Sequence, residues 1–385
     1  MNESRGLIAL ALGTFSLGIA EFAMMAIISP LAAALGLTIP EAGDFISAYA
    51  IGVSIGSPMP LLFRKFALKH LLLGLSCLII FGNLAAAISP GYWSLLCARF
   101  IAGLPHGAYF GVAAIVAVSL VAPGRRASAV AIMISGMTLA NLAGVPLCTW
   151  FANTFSWRLT FVTAAVAALA TFLSIRAFIP LANPKQQKSI KREFSFLRGL
   201  APWLIFAATF LGQGSIYCWY SYMEPILLNV SQISPHSMKW VMLISGLGMF
   251  LGGIGAGRLS DHFPPALVSG CIAVLIAPIL LLIHNLSGNA PLAITLVFFG
   301  AAALFGLGGP LQYLIVRYSR GGEILGGAGI QIAFNVSNAA AAAIGGAVIN
   351  AGYGFTAPAL VGIPLALASA AILIWFYCRY RKNPA

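Results

Sequence analysis

Twelve apolar stretches, most of them twenty residues or longer, run through the chain with few charges inside them, and they limit the fold more than any other feature. A helix crossing ~30 Å of hydrocarbon at a ~1.5 Å rise per residue needs about 20 mostly apolar residues. Segments 7–29, 43–63, 70–89, 93–119, 127–151, 158–180, 201–223, 238–260, 265–284, 291–315, 324–349 and 355–378 meet that requirement. Charged residues are only 8% of the chain and hydrophobic ones 60%, whereas a soluble domain carries about 25% charged residues. The expected class is therefore an all-α integral membrane protein with twelve transmembrane helices. The 41 glycines and 21 prolines fall largely inside the apolar runs, where membrane helices tolerate them.

The net charge of +13 would raise nucleic acid as a partner in a soluble chain. Here it reads as a topology signal and nucleic acid is not expected, because loops on the cytoplasmic side collect Lys and Arg. Arg5, Arg64, Lys65, Lys69, Arg125, Arg126, Arg176, Lys185, Lys188, Lys191, Arg192, Arg198, Arg258, Arg317, Arg320, Arg379, Arg381 and Lys382 all fall on one side of the twelve-span scheme. Arg158 and Lys239 fall on the other, and Arg99 lies within a span. An even span count with both termini in the cytoplasm follows. The first apolar run holds Glu21, continues to Pro30 and lacks a small-residue cleavage site, so it reads as a retained span and not a signal peptide.

The longest polar stretch, 181–199, separates six spans from six and is expected to link an N-terminal bundle, 1–180, to a C-terminal bundle, 200–385. Gly52 and Gly56 near the end of the second span recur as Gly248 and Gly252 near the end of the eighth. Two pseudo-symmetric six-helix halves around a shared substrate site make a transporter architecture. Cys77, Cys97, Cys148, Cys218, Cys271 and Cys378 show no Cys-x-x-Cys spacing and no nearby His pair, so buried thiols are expected and no metal site.

A charge at membrane depth costs several kcal/mol unless it faces a cavity or a partner, so each one is a candidate for function. Arg99 is seven residues past Tyr92, about 10 Å along its helix. Glu21 is fourteen residues past Leu7, about 21 Å up a ~30 Å layer entered from the cytoplasm, and so reaches a similar depth. The two are expected to meet. Glu21 can exchange its proton while Arg99 keeps its own, so the pair either couples protons or only fixes helix packing.

Arg99, Gly103, His106 and Gly107 share one helical face, and His106 is open to proton transfer, to cavity lining or to an interhelical hydrogen bond. Asn141, Gln213, Tyr217, Gln312, Gln331, Asn335 and Asn338 are uncharged candidates for a substrate cavity. Amides in hydrocarbon need partners, which neighbouring helices could equally supply. Asp44 and Glu224 sit near outer span ends, where water access is expected, and Trp219, Tyr220 and Tyr222 read as an interfacial aromatic belt.

Several stretches together carry a family resemblance: GTFSLGIAEF (13–22), ISAYAIGVSIGSP (46–58), ARFIAGLPHGAYFG (98–111), SGMTLANLAGVP (135–146), APWLIFAATF (201–210), GRLSD (257–261) and GGEILGGAGIQIAFN (321–335). They resemble the major facilitator superfamily, in particular its bacterial drug/proton antiporters and their arabinose efflux permease branch. The resemblance implies a multi-pass inner-membrane exporter of small organic molecules such as sugars or drugs, driven by the proton gradient and needing no cofactor. It matches Arg99 to a residue linked with proton coupling, and Gly136, Asn141, Gly144 and Pro146 to an antiporter motif whose usual last glycine is Cys148 here. A gating motif is expected after the second span, but Lys65 stands where its acid would be. The second half retains Gly257, Arg258 and Asp261, expected to act in gating, with Asp261 capping or pairing with a neighbour.

An importer of the same fold remains open. A channel would need a selectivity filter or charge rings, and a membrane enzyme would need a catalytic constellation; neither is legible, so no catalytic residues are assigned. One chain supplies both halves, so a monomer suffices.

Overall fold

The computed structural model describes residues 3–63, 65–122, 126–181, 194–319 and 322–381. Arg64, Arg125, Lys185, Lys188, Lys191, Arg192, Arg320, Lys382 and most of the expected 181–199 connection lie outside the described residues.

The chain is all-helical. The twelve long helices are α1 (Glu3–Ala26), α2 (Ile39–Gly56), α3 (Leu68–Ala87), α4 (Tyr92–Ser119), α5 (Ala129–Thr154), α6 (Arg158–Phe178), α7 (Leu200–Tyr220), α8 (Met238–His262), α9 (Pro265–Leu286), α10 (Ala290–Tyr318), α11 (Glu323–Val348) and α12 (Ala357–Tyr380). All except α2 are long and apolar enough to cross a membrane; α2 has 18 residues and carries Glu41 and Asp44 in its first turns. It starts earlier than the 43–63 expected because Thr38 and Glu41 form a capping box, with Thr38 N–H donating to Glu41 Oε2 at 2.7 Å. The left-handed Gly36 (φ 65°) ends the preceding short helix Ile28–Leu35.

The side on which α1 starts and α12 ends is here termed the terminal face, and the opposite side the far face. Within the first six helices α1 packs on α5 and α6, α3 on α4 and α6, and α2 on α4. The last six repeat this pattern: α7 packs on α11 and α12, α9 on α10 and α12, and α8 on α10. The repeated glycines explain the tightest of these contacts. A Cβ on Gly52 would lie 2.2 Å from the Phe100 carbonyl oxygen of α4, and one on Gly248 would lie 2.4 Å from the Phe298 carbonyl oxygen of α10. Only a residue without a side chain permits that backbone approach. The bundles meet along α2 with α11 and α5 with α8, a symmetric pair of seams.

The helices are interrupted where function is expected. The leading helix of each half breaks toward the far face, α1 at Ile27 before Ile28–Leu35 and α7 at Ser221–Tyr222 before the short helix Met223–Asn229. Pro105 divides α4 after Gly103, since it has no N–H to continue the ladder. In α5 a π-turn spans Ala140–Gly144 just before Pro146 and absorbs the missing donor.

Four of the six thiols, Cys77, Cys97, Cys271 and Cys378, are exposed and only Cys148 and Cys218 are buried, contrary to the expectation of burial. The outer surface of a membrane bundle is as apolar as its interior, so an apolar run does not tell which side of a helix faces inward.

Candidate proton and substrate site

Glu21 is 3% exposed near the far end of α1, and its expected partner is not the one found. Glu21 Oε2 lies 3.8 Å from His106 Nε2. That distance is within ion-pair range only when His106 is protonated and is too long for a hydrogen bond, and Glu21 Oε1 has no hydrogen-bond partner among the described residues. On its other side His106 Nδ1 is 2.8 Å from the Tyr49 hydroxyl. Its ring stacks on Phe110, one turn further along α4, with centroids 5.3 Å apart. With Tyr49 donating to Nδ1, the imidazole proton sits on Nε2 and points to Glu21.

Arg99 is fully buried and acts instead on backbone and rings. Its Nη1 donates to the Ala20 carbonyl at 2.8 Å and its Nε to the Phe45 carbonyl at 3.4 Å. The guanidinium carbon lies 4.3 Å from the Tyr49 ring centroid and 5.5 Å from that of Phe161. One cation thus ties α1, α2 and α6 to α4, while remaining within electrostatic reach of Glu21. Helical rise gave the depth of Arg99 and Glu21 correctly, but depth does not fix azimuth, and the break at Pro105 turns His106 toward the carboxylate.

Across the seam, α7 and α11 present uncharged groups. Gln213 Nε2 donates to the Leu304 carbonyl at 3.4 Å, and its Oε1 is unpartnered. Tyr217 lies within electrostatic reach of Glu21, its ring meets Phe334 edge-on at 5.4 Å, and its hydroxyl has no partner. Asn335 donates to the Gln331 carbonyl at 2.9 Å and leaves Oδ1 unpaired; neither amide atom of Asn338 is paired. Buried amides usually find partners, so four unmet side chains on two adjoining helices suit a ligand as the missing partner. Gln331 is partly buried on α11, and partly buried Gln312 of α10 lies near Gly327 of α11. Asn141 is in the π-turn of α5, donates to the Met137 carbonyl at 3.1 Å, and presents its own carbonyl to Gly246 of α8. It therefore belongs to the seam between the bundles.

The gating candidates divide. Gly144 is buried against Ile19, and a Cβ there would come within 2.7 Å of that side chain; Pro146 is partly buried beside it. Gly257 has open space around it, and Arg258 and Asp261 are exposed with no partner among the described residues, so the expected cap or ion pair of Asp261 is not formed. Trp219, Tyr220 and Tyr222 are buried and not a surface belt: Trp219 packs on Gly300, Tyr220 hydroxyl is 3.0 Å from Ser245 Oγ, and Tyr222 donates to the Ala342 carbonyl at 2.7 Å. Asp44 is half-buried and accepts from Tyr92 at 2.6 Å. Glu224, expected near water, is wholly buried. Tyr49 and Phe110 were not singled out from sequence; the only signal was their place in the ISAYAIG and PHGAYFG stretches.

Comparison with known proteins gives the family, since residues 10–328 match the model of the Major Facilitator Superfamily. The chain belongs to that superfamily. AraJ of Escherichia coli (strain K12) is 40% identical over 98% of this chain and 96% of its own. The inner membrane transport protein YdhP of the same organism is 34% identical over 100% of this chain and 98% of its own. Solved structures with the same fold include a bacterial homologue of the human lysosomal transporter Spinster, inward-facing and unoccupied, at a TM-score of 0.68 and 16% identity over 98% of this chain and 96% of that one. A POT family transporter in complex with a thioalcohol-conjugated peptide superposes at a TM-score of 0.77, with 12% identity over 97% of this chain and 96% of that one. The protein is thus a membrane transporter of small-molecule substrates and not an enzyme.

Proposed function

We propose that this transporter is a proton-coupled antiporter that exports small organic molecules, sugars or drugs among them, across a bacterial inner membrane by alternating access. The observation that carries this reading is the buried Glu21–His106 pair, two titratable groups 3.8 Å apart with a carboxylate oxygen that lacks a hydrogen-bond partner among the described residues, within electrostatic reach of Tyr217 of the other bundle. A proton arriving on Glu21 cancels its charge, and with it the attraction to His106 and the field at Tyr217. The balance between the two orientations of the bundles shifts accordingly. Arg99 holds the surrounding backbone and supplies a constant positive charge. The unmet groups of Gln213, Tyr217, Asn335 and Asn338 bind substrate, with Gln331 and Gln312 nearby.

Export is supported by the fifth-span motif, whose Asn141 and Gly144 form the π-turn that packs on α1 and on Gly246 of α8. Residues 1–180 and 200–385 are the two moving units, joined by 181–199, and a single chain suffices. The basic loops put both termini in the cytoplasm, and the energy source is the proton gradient without a cofactor. In liposomes with an internal pH dye, sugars, nucleosides and cationic drugs are screened for substrate-induced proton flux. Flux with one substrate class that disappears in Glu21→Gln is the expected result. Substrate movement with no proton flux would overturn the coupling.

A further inference from the structure

A second buried carboxylate lies outside the Glu21 cluster and joins the bundles at the far face. Glu224 opens the short helix Met223–Asn229 of the C-terminal half and is fully buried. Its Oε2 accepts the Ser29 backbone N–H at 3.1 Å and also the Ser29 hydroxyl. Ser29 belongs to the N-terminal half, in the first turn of Ile28–Leu35, where helix N–H groups lack intrahelical partners and favour negative charge. Glu224 Oε1 has no hydrogen-bond partner among the described residues.

Among the described residues, the groups around this contact offer no counterion. The Met223–Asn229 helix packs on α1, on Ile28–Leu35 and on α10. The basic residues of α1 and α10, Arg5 and Arg317, sit at the terminal-face ends of those helices, and Ile28–Leu35 carries no titratable side chain. The other acids and phenols on these elements and nearby are accounted for. Glu21 pairs with His106, Asp44 with Tyr92, and Tyr222 with the Ala342 carbonyl, while Glu3, Tyr313 and Tyr318 lie toward the terminal face. An ionised carboxylate buried without a counterion is far more costly than a neutral one, and the N-terminus of one short helix offsets only a small part of that cost. When the far face opens, Ser29 and Glu224 must separate, and water replaces the buried contact.

We propose that Glu224 is a second proton-binding site: the closed far face holds it protonated against Ser29, and opening that face releases the proton to the outside. It rests only on the alternating-access part of the function above and is independent of Glu21. It gives the far gate its own response to external pH, in the sense that lowering the pH favours closure.

The test is a distance between the halves at the far face, which needs no substrate. Spin labels go on Ala34→Cys and Gln232→Cys, both at exposed positions, with the exposed Cys77, Cys97, Cys271 and Cys378 replaced by Ser. In nanodiscs the labelled parent is expected to shift toward the longer distance as pH rises. Glu224→Gln, which keeps an acceptor for Ser29 but cannot ionise, is expected to stay closed across the same pH range. Glu21→Gln is expected to keep the response. Ser29→Ala keeps the backbone donor but loses the hydroxyl, and is expected to raise the open fraction roughly three- to tenfold, the effect of one hydrogen bond. A pH response unchanged in Glu224→Gln, or none in the labelled parent, overturns the proposal. A response that vanishes in Glu224→Gln while substrate-induced proton flux is absent would sustain it and count only against the antiport reading.

Discussion

The two bundles share a backbone plan but not a chemistry. Each breaks its leading helix near the far face, and each brings its second helix onto its fourth through a pair of glycines. Yet the N-terminal bundle buries Glu21, His106, Arg99 and Tyr49 together, while at the corresponding depth the C-terminal bundle offers Gln213, Tyr217, Asn335 and Asn338. The symmetric part is main-chain packing, which any small residue at the right register can support. At that depth the asymmetric part, on the function proposed above, divides the labour, with Glu21 and His106 titrating on one side of the seam and uncharged hydrogen bonding on the other; Glu224 lies apart from both, at the far face.

The symmetry is the easiest part to break. Gly52→Leu and Gly248→Leu each drive a side chain into a carbonyl oxygen of the facing helix, and both are expected to abolish the monodisperse folded peak in detergent size-exclusion chromatography. A loss confined to one half would show that the two contacts are not equivalent. Next in size is Arg99→Met, which leaves the Ala20 and Phe45 carbonyls without their charged donor. It is expected to destabilise by about 3 kcal/mol, read as a lowered unfolding midpoint in a denaturant titration. His106→Gln, which lacks the imidazole but not the hydrogen-bonding capacity, is expected to cost much less stability.

The chemical division is sharpened by Asn338→Ala and Gln213→Ala. Each removes one uncharged contact to substrate, and KM is expected to rise about tenfold while the pH dependence of transport stays unchanged. A displaced pH profile in either variant would show that these amides take part in the titration and are not substrate contacts alone. The smallest effect belongs to Asp261→Asn: the side chain is exposed and has no partner among the described residues, so transport is expected to remain within about twofold of the parent.

The span count, the two halves and the glycine repeat were legible because a bilayer imposes length and apolarity on every crossing helix. Glu21 and Arg99 stood out for the same reason, as charges at a depth where charge is costly. Their pairing was not legible. Rise per residue sets how deep a group lies, but the angle around the helix depends on breaks such as Pro105, and the group that meets Glu21 is His106, about two turns beyond Arg99. Glu224 was read as water-exposed because its distance along α7 suggests the surface, whereas the turn at Ser221–Tyr222 folds it back against Ser29. The buried Trp219 and Tyr222 were misjudged by the same extrapolation. The amides were visible, but which of them find partners depends on the packing of α7 against α11.

The central claim is that Glu21 moves the proton without being needed to hold the substrate. It is tested most directly in proteoliposomes by comparing, for Glu21→Gln, the exchange of labelled substrate at equal concentrations with its proton-driven accumulation. Exchange preserved within about threefold and accumulation lost is the predicted result, since an equal binding contribution to both states leaves exchange intact. Accumulation that persists in Glu21→Gln, or exchange and accumulation lost together in folded protein, would contradict it.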